Sequence, residues 1–266
     1  GVTGVQTCAL PIWTSGGGPV VGWINTRVLD ETGDIARAQG WTPLVLDTNG
    51  NGRRDPHVEP GQPADPARDT RIVAGLYAIM PHPTDGSIWG AVRGNPGAVV
   101  RIVPGEDPAR TALAEIYRVP APGFGVRGGD IDGRGVVWVS LASGHLGAFD
   151  RSKCRGKLNG PSATGDHCPE GWSFHRYPGP GFAGIGENSA ESSYYTWVDQ
   201  HDTFGLGKDV PMSTGNLNDG LIAFKDGRMI VLRVPYPLGF YAKGFDGRID
   251  DAGAGWKGRE IGRAHV

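Results

Sequence analysis

Asp47-Thr-Asn49-Gly-Asn51-Gly52-Arg53-Arg-Asp55 places oxygen-bearing side chains at the spacing of a calcium loop. Counting Asp47 as position 1, side-chain oxygens fall at positions 1, 3, 5 and 9. Gly52 sits at position 6, where the turn is sharpest, and the carbonyl of Arg53 supplies position 7. Position 12, usually a bidentate Glu, is Val58, with Glu59 beside it. The expectation is a weak Ca²⁺ site, and the alternative is an Asn/Gly turn capping the strand Pro43-Leu-Val-Leu-Asp47.

Acid–base chemistry needs a His or carboxylate held near a reacting atom. His145 follows a glycine in a hairpin turn, and His201 lies in Asp199-Gln-His-Asp202. With Asp199, Glu187 and Glu191 they form the candidate catalytic or metal-holding set, provided the fold gathers them at one mouth. Cys154 and Cys168 bracket a polar loop with three readings: a disulfide, two free thiols, or a metal pair assisted by His167. The absence of CxxC spacing weakens the metal reading. Gly16-Gly-Gly18 is followed by neither Lys-Ser/Thr nor a helical pattern, so it is no phosphate loop. Asp246-Gly-Arg248-Ile-Asp250-Asp251 reads as a turn with an Arg–Asp pair.

The elements that must position these residues are strands. Asp85-Gly-Ser-Ile-Trp89-Gly leads through a glycine turn into Ala98-Val-Val-Arg-Ile-Val103. Asp132-Gly-Arg-Gly-Val-Val-Trp138-Val-Ser leads likewise into Ser143-Gly-His-Leu-Gly-Ala-Phe-Asp150. Each is a turn, an apolar strand with a Trp, a second turn and a second strand. Looser copies run from Trp13 to Trp23 and from Tyr194-Tyr-Thr-Trp197-Val-Asp to Gly220-Leu-Ile-Ala-Phe224, with Met229-Ile-Val-Leu-Arg-Val234 after them. The tryptophans Trp13, Trp89, Trp138 and Trp197 are 76, 49 and 59 residues apart. Such periods predict an all-β fold, an incomplete β-propeller of about four blades, with insertions near 30–71, 152–169 and 178–193. An ordinary β-sandwich is the rival architecture.

Composition agrees. The 45 Gly and 21 Pro punctuate short strands, while eight Trp argue against disorder. The 26 Lys and Arg against 28 Asp and Glu leave no basic stripe for nucleic acid. No apolar run reaches the length of a membrane span.

Both ends read differently. Val2 to Ile12 is what one strand of a short-read sequencing adapter encodes, and Ile261 to Val266 matches its complementary strand. The expected organisation is therefore residues 1–12 and 261–266 as adapter-derived, with a partial propeller over 13–260.

The Asp-Gly-x-x-[Ile/Val]-Trp element followed by Gly-x-[Leu/Val]-x-x-[Phe/Ile] resembles the blade of streptogramin (virginiamycin B) lyase propellers. Trp13–Trp23, Ala142-Ser-Gly-His-Leu, Tyr194–Asp199 and Asp246–Asp251 resemble the propeller part of bacterial carboxypeptidase regulatory-like domain-containing proteins. That resemblance implies further blades and an upstream β-sandwich, and it carries no metal-binding Glu or His over to this sequence. The expected function is an extracytoplasmic, periplasmic or secreted binding module presenting loops to a carbohydrate or protein, with no membrane span. The alternative is a lyase or hydrolase using a divalent metal in the central channel. Acids and histidines gathered at one channel mouth favour the enzyme. Dispersed acids with an exposed aromatic patch favour binding.

Overall fold

The computed structural model describes residues 12–15 and 18–244. Residues 1–11, 261–266 and Asp246–Asp251 lie outside the described residues, as do Gly16 and Gly17 of the glycine run. Ile12 is the first residue of a strand, in register with Ile24.

Seventeen described strands form four antiparallel meanders. Blade 1 holds β1 (Ile12–Ser15), β2 (Val20–Ile24), β3 (Gln39–Leu46), β4 (His57–Val58) and β5 (Asp69–Ile72). Its sheet runs β1-β2-β3-β5, with β4 paired in parallel to β5. Blade 2 is β6 (Leu76–Pro81), β7 (Ile88–Val92), β8 (Ala98–Val103) and β9 (Leu113–Arg118). Blade 3 is β10 (Val126–Ile131), β11 (Val137–Leu141), β12 (His145–Phe149) and β13 (Trp172–Arg176). Blade 4 is β14 (Thr196–Asp199), β15 (Val210–Gly215), β16 (Gly220–Lys225) and β17 (Arg228–Arg233). A single parallel bridge, Leu46 with Ala114, joins blades 1 and 2.

The first strands β1, β6, β10 and β14 are neighbours in turn, which sets the sheets side by side around an axis. This is an incomplete β-propeller. Apolar residues alternate along each strand between the two faces, and each face buries against the adjacent blade. On β7, Ile88 joins the core shared with blade 1, whereas Trp89 joins the core shared with blade 3. On β11, Val137 and Val139 face blade 2, and Trp138 joins Val198 and Ile222 of blade 4. The tryptophans thus fill the spaces between sheets.

The four tryptophans are not equivalent, however. Trp89 and Trp138 lie on second strands, whereas Trp13 and Trp197 lie on first strands. Only the 49-residue step from Trp89 to Trp138 measures a blade. In blade 4 the corresponding face of the second strand carries Met212, opposite Trp197. The stretch 30–71, expected as an insertion, contains β3, β4 and β5, so much of it is blade 1 itself.

Cys154 and Cys168 form a disulfide, with Cα atoms 5.2 Å apart. It closes the loop between β12 and β13, and Cys168 belongs to the core between blades 2 and 3. Among the described residues no helix is long and apolar enough to cross a membrane.

Candidate functional site

The five acid–base candidates divide between opposite ends of the blades. Asp199 ends β14, fully buried, and its carboxylate accepts the amides of His201 (3.3 Å), Thr203 (2.9 Å) and Phe204 (2.9 Å). His201 is exposed in the turn so capped. His145 begins β12 at the other end, where it pairs with Leu141 and Arg176. It is buried, with Nδ1 3.1 Å from Ser143 Oγ, and burial pulls its pKa down against the opposing charge of Glu187. Glu187 is exposed in the 178–193 loop. Glu191 is buried and accepts the amide of Leu217 (3.1 Å) and the side-chain amide of Asn218 (2.6 Å). Asp199 and Glu191 therefore hold turns together.

A surface that sequence spacing did not disclose lies at the His145 end. Between Leu76 and Ala78 the β6–β7 pairing shifts register, which pushes Tyr77 out of the ladder. The β10–β11 pairing shifts between Val126 and Gly129, releasing Arg127 and Gly128. Bulges of this kind re-aim a side chain without ending a strand. The Arg93 guanidinium lies 5.3 Å above the Tyr77 ring, and the Tyr195 ring lies 6.5 Å from it. Arg127 sits 4.4 Å above Tyr194, which meets Tyr241 at 6.4 Å. Arg127 Nη1 also donates to the carbonyl of Ser193 at 2.7 Å, fixing the guanidinium. Gly128 has no Cβ because one would collide with the Tyr195 ring. The first strands of blades 2 and 3 and the approach to β14 thus carry one belt of tyrosines and arginines. Glu191, Asn216 and Asn218 knit the loops behind it, with Asn216 exchanging two hydrogen bonds with the backbone of Ala242.

The acidic loop is the second site. Asp47 Oδ1 accepts the amides of Gly50 (2.7 Å) and Asn51 (3.1 Å), and Oδ2 accepts that of Gly52 (2.8 Å). Gly52 adopts φ +77°, which explains glycine at position 6. The side-chain amides of Asn49 and Asn51 both donate to Asp55 Oδ2, and they hold its carboxyl below the usual range. Arg53 contributes its amide to Asn51 Oδ1 at 2.8 Å. Glu59 turns away to Arg71 (2.8 Å) and His57 (3.4 Å). Asp69, which spacing did not flag, reaches the loop instead: its Oδ2 accepts the amide of Asp55 at 2.7 Å. The disulfide loop docks here too, through Asn159 to Asp47 Oδ2 (2.9 Å) and Gly160 N to the Asp47 carbonyl (2.7 Å).

No protein-family profile matches the chain, and no curated protein matches it in sequence. Among solved structures it is similar to a catalytically inactive virginiamycin B lyase from Staphylococcus aureus with quinupristin. The identity is 13%, the TM-score 0.44, and the match covers 87% of this chain and 58% of that one. This chain therefore spans less than two thirds of that lyase's length. A protein of unknown function from Bacteroides caccae is 12% identical over 84% of this chain and 72% of its own, at TM-score 0.36. The β-propeller domain of Myceliophteria thermophila Cps50 (Swd1) is 11% identical over 86% and 70%, at TM-score 0.33. The propeller assignment above rests on the strand order and the inter-blade cores.

Proposed function

We propose that this chain is a propeller-type binding module of an extracytoplasmic protein, which takes a carbohydrate across the tyrosine–arginine belt. The observation that carries this reading is the pair of bulges that place Tyr77 and Arg127 outside their ladders, beside Tyr194 and Tyr195. Tyrosine combines a flat apolar face with a polar tip, and it orders at small entropic cost. Guanidinium groups already stacked on those rings present planar donors to carboxylates. A glycan carrying uronic acids matches both features. The disulfide supports an oxidising compartment. The resemblance to propellers of carboxypeptidase regulatory-like domain-containing proteins supports a larger envelope or secreted parent.

The test is equilibrium titration with uronic-acid oligosaccharides and with neutral oligosaccharides of equal length. Uronic-acid ligands should bind more tightly, with affinity falling as salt screens the arginines. Tyr77→Ala and Arg127→Ala should each weaken binding at least about fivefold, as interface aromatics and arginines do. Wild-type affinity in both variants, or no glycan binding at all, defeats the reading. Binding of an acidic peptide alone moves it to protein recognition. Cleaved products in the same mixtures replace it with the divalent-metal lyase or hydrolase.

A further inference from the structure

We propose that Asp69 completes a calcium site with Asp47, Asp55 and the side-chain amide oxygens of Asn49 and Asn51. The inference is independent of the carbohydrate reading. Asp69 is 0% exposed, and its Oδ1 completes no hydrogen bond. A buried carboxylate oxygen left without a partner is costly, and a bound cation is one way to satisfy it. The strands direct it at the loop. Asp69 opens β5 in register with His57 of β4, and its amide donates to the carbonyl of Pro56 at 3.3 Å. Thr48 and Thr70 meet at 3.0 Å immediately beside it. Asp69 thus enters from a second strand, on the side where Glu59 has turned away.

The local charge fits a cation. The amides of Asp55 and Asn49 face the Asp69 carboxylate, and Asp47 and Asp55 lie close enough for their charges to act on it. Arg54 is near enough to feel Asp69, but its guanidinium bonds Thr42 (3.0 Å) and the carbonyl of Ala109 (3.1 Å). Among the described residues no three His, Cys, Asp or Glu side chains are already gathered around one point. Asp47, Asp55 and Asp69 must therefore draw together on binding, with the Asn oxygens completing the set. On binding, the Asn49 and Asn51 amides rotate, exchanging the N–H groups now on Asp55 for carbonyl oxygens. Calcium accepts six to eight oxygens in flexible geometry, whereas magnesium demands a rigid octahedron.

The experiment uses the whole chain, stripped with chelator and titrated with CaCl₂ by calorimetry and thermal unfolding. Binding on the order of 10⁻⁴ M, with a higher Tm and a weaker response to MgCl₂, is expected. Asp69→Asn keeps the shape and the acceptor for Asp55 N, and should weaken binding about tenfold or more. Glu59→Gln should bind as wild type. No heat and no Tm change up to about 10 mM CaCl₂, well above the range of extracellular sites, overturns the proposal. Wild-type affinity in Asp69→Asn overturns it equally. If Asp69→Asn does not fold, Asp55→Asn must show the same weakening, or the proposal fails.

Discussion

The aspartate that precedes each tryptophan strand in blades 2 and 3 organises its turn. Asp132 Oδ1 accepts the amides of Arg134 (2.9 Å) and Val136 (3.0 Å), and its Oδ2 accepts the Trp138 indole at 3.2 Å. Asp85 accepts the amide (2.8 Å) and hydroxyl (2.6 Å) of Ser87 and the Arg101 guanidinium (2.9 Å). Arg101 continues to Glu115 (3.1 Å), which Arg151 grips through two nitrogens at 2.7 and 2.8 Å. Burial works to raise the Asp85 pKa, yet Ser87 and Arg101 together hold it down to about 2. A carboxyl depressed in the folded state stabilises above its unfolded pKa of about 3.9. That contribution fades as pH falls through about 2. Wild type should therefore exceed Asp85→Asn in unfolding free energy at pH 6, with the gap closing between about pH 4 and pH 2. Denaturant titrations across that range check it. A gap that stays constant to pH 2 removes Asp85 from the acid response.

At the scale of elements, the disulfide loop ties three blades together. It starts from β12 of blade 3, yet Asn159 and Gly160 bond Asp47 of blade 1, and the Gly165 carbonyl accepts the Arg118 amide of blade 2 at 2.8 Å. Replacing both cysteines by serine should cost about 3 kcal/mol by loop entropy. For a chain of this size that lowers Tm by roughly 6–12 °C. An unchanged Tm would show that packing alone fixes the loop. The Asp-Gly turns, the alternating strands and the Cys154–Cys168 pair were legible because each is a local pattern. Three features were not. Trp13 and Trp197 resemble Trp89 and Trp138 in sequence, but strand order within a blade depends on partners far along the chain. Asp69 lies fourteen residues beyond Asp55, and the pairing of β5 with β3 and β4 returns it to the loop. Tyr77 and Arg127 owe their displacement from the ladders to register shifts, which belong to pairs of strands rather than to either one.

For the whole molecule, the outer face of blade 4 differs from the faces buried between blades. On blade 4, Trp197, Met212 and Ala223 are covered by their own sheet and by Phe204 and Leu206 of the β14–β15 loop. Trp197 is only 4% exposed, because the β14–β15 loop covers it. Leu221, Ile230 and Leu232 on the same cluster are only partly buried. Partly covered apolar faces associate, so size-exclusion chromatography should show apparent mass rising with concentration. Ile230→Lys with Leu232→Lys should suppress that rise, and a wild-type monomer at every concentration would contradict it. The bulges have a different consequence for the molecule's history. A residue ejected from a ladder contributes little to the pairing on either side, so positions 77 and 127 can change identity while the sheets keep their register. If the belt binds as proposed, its recognition can be rewritten at those two positions without renegotiating the architecture that carries them.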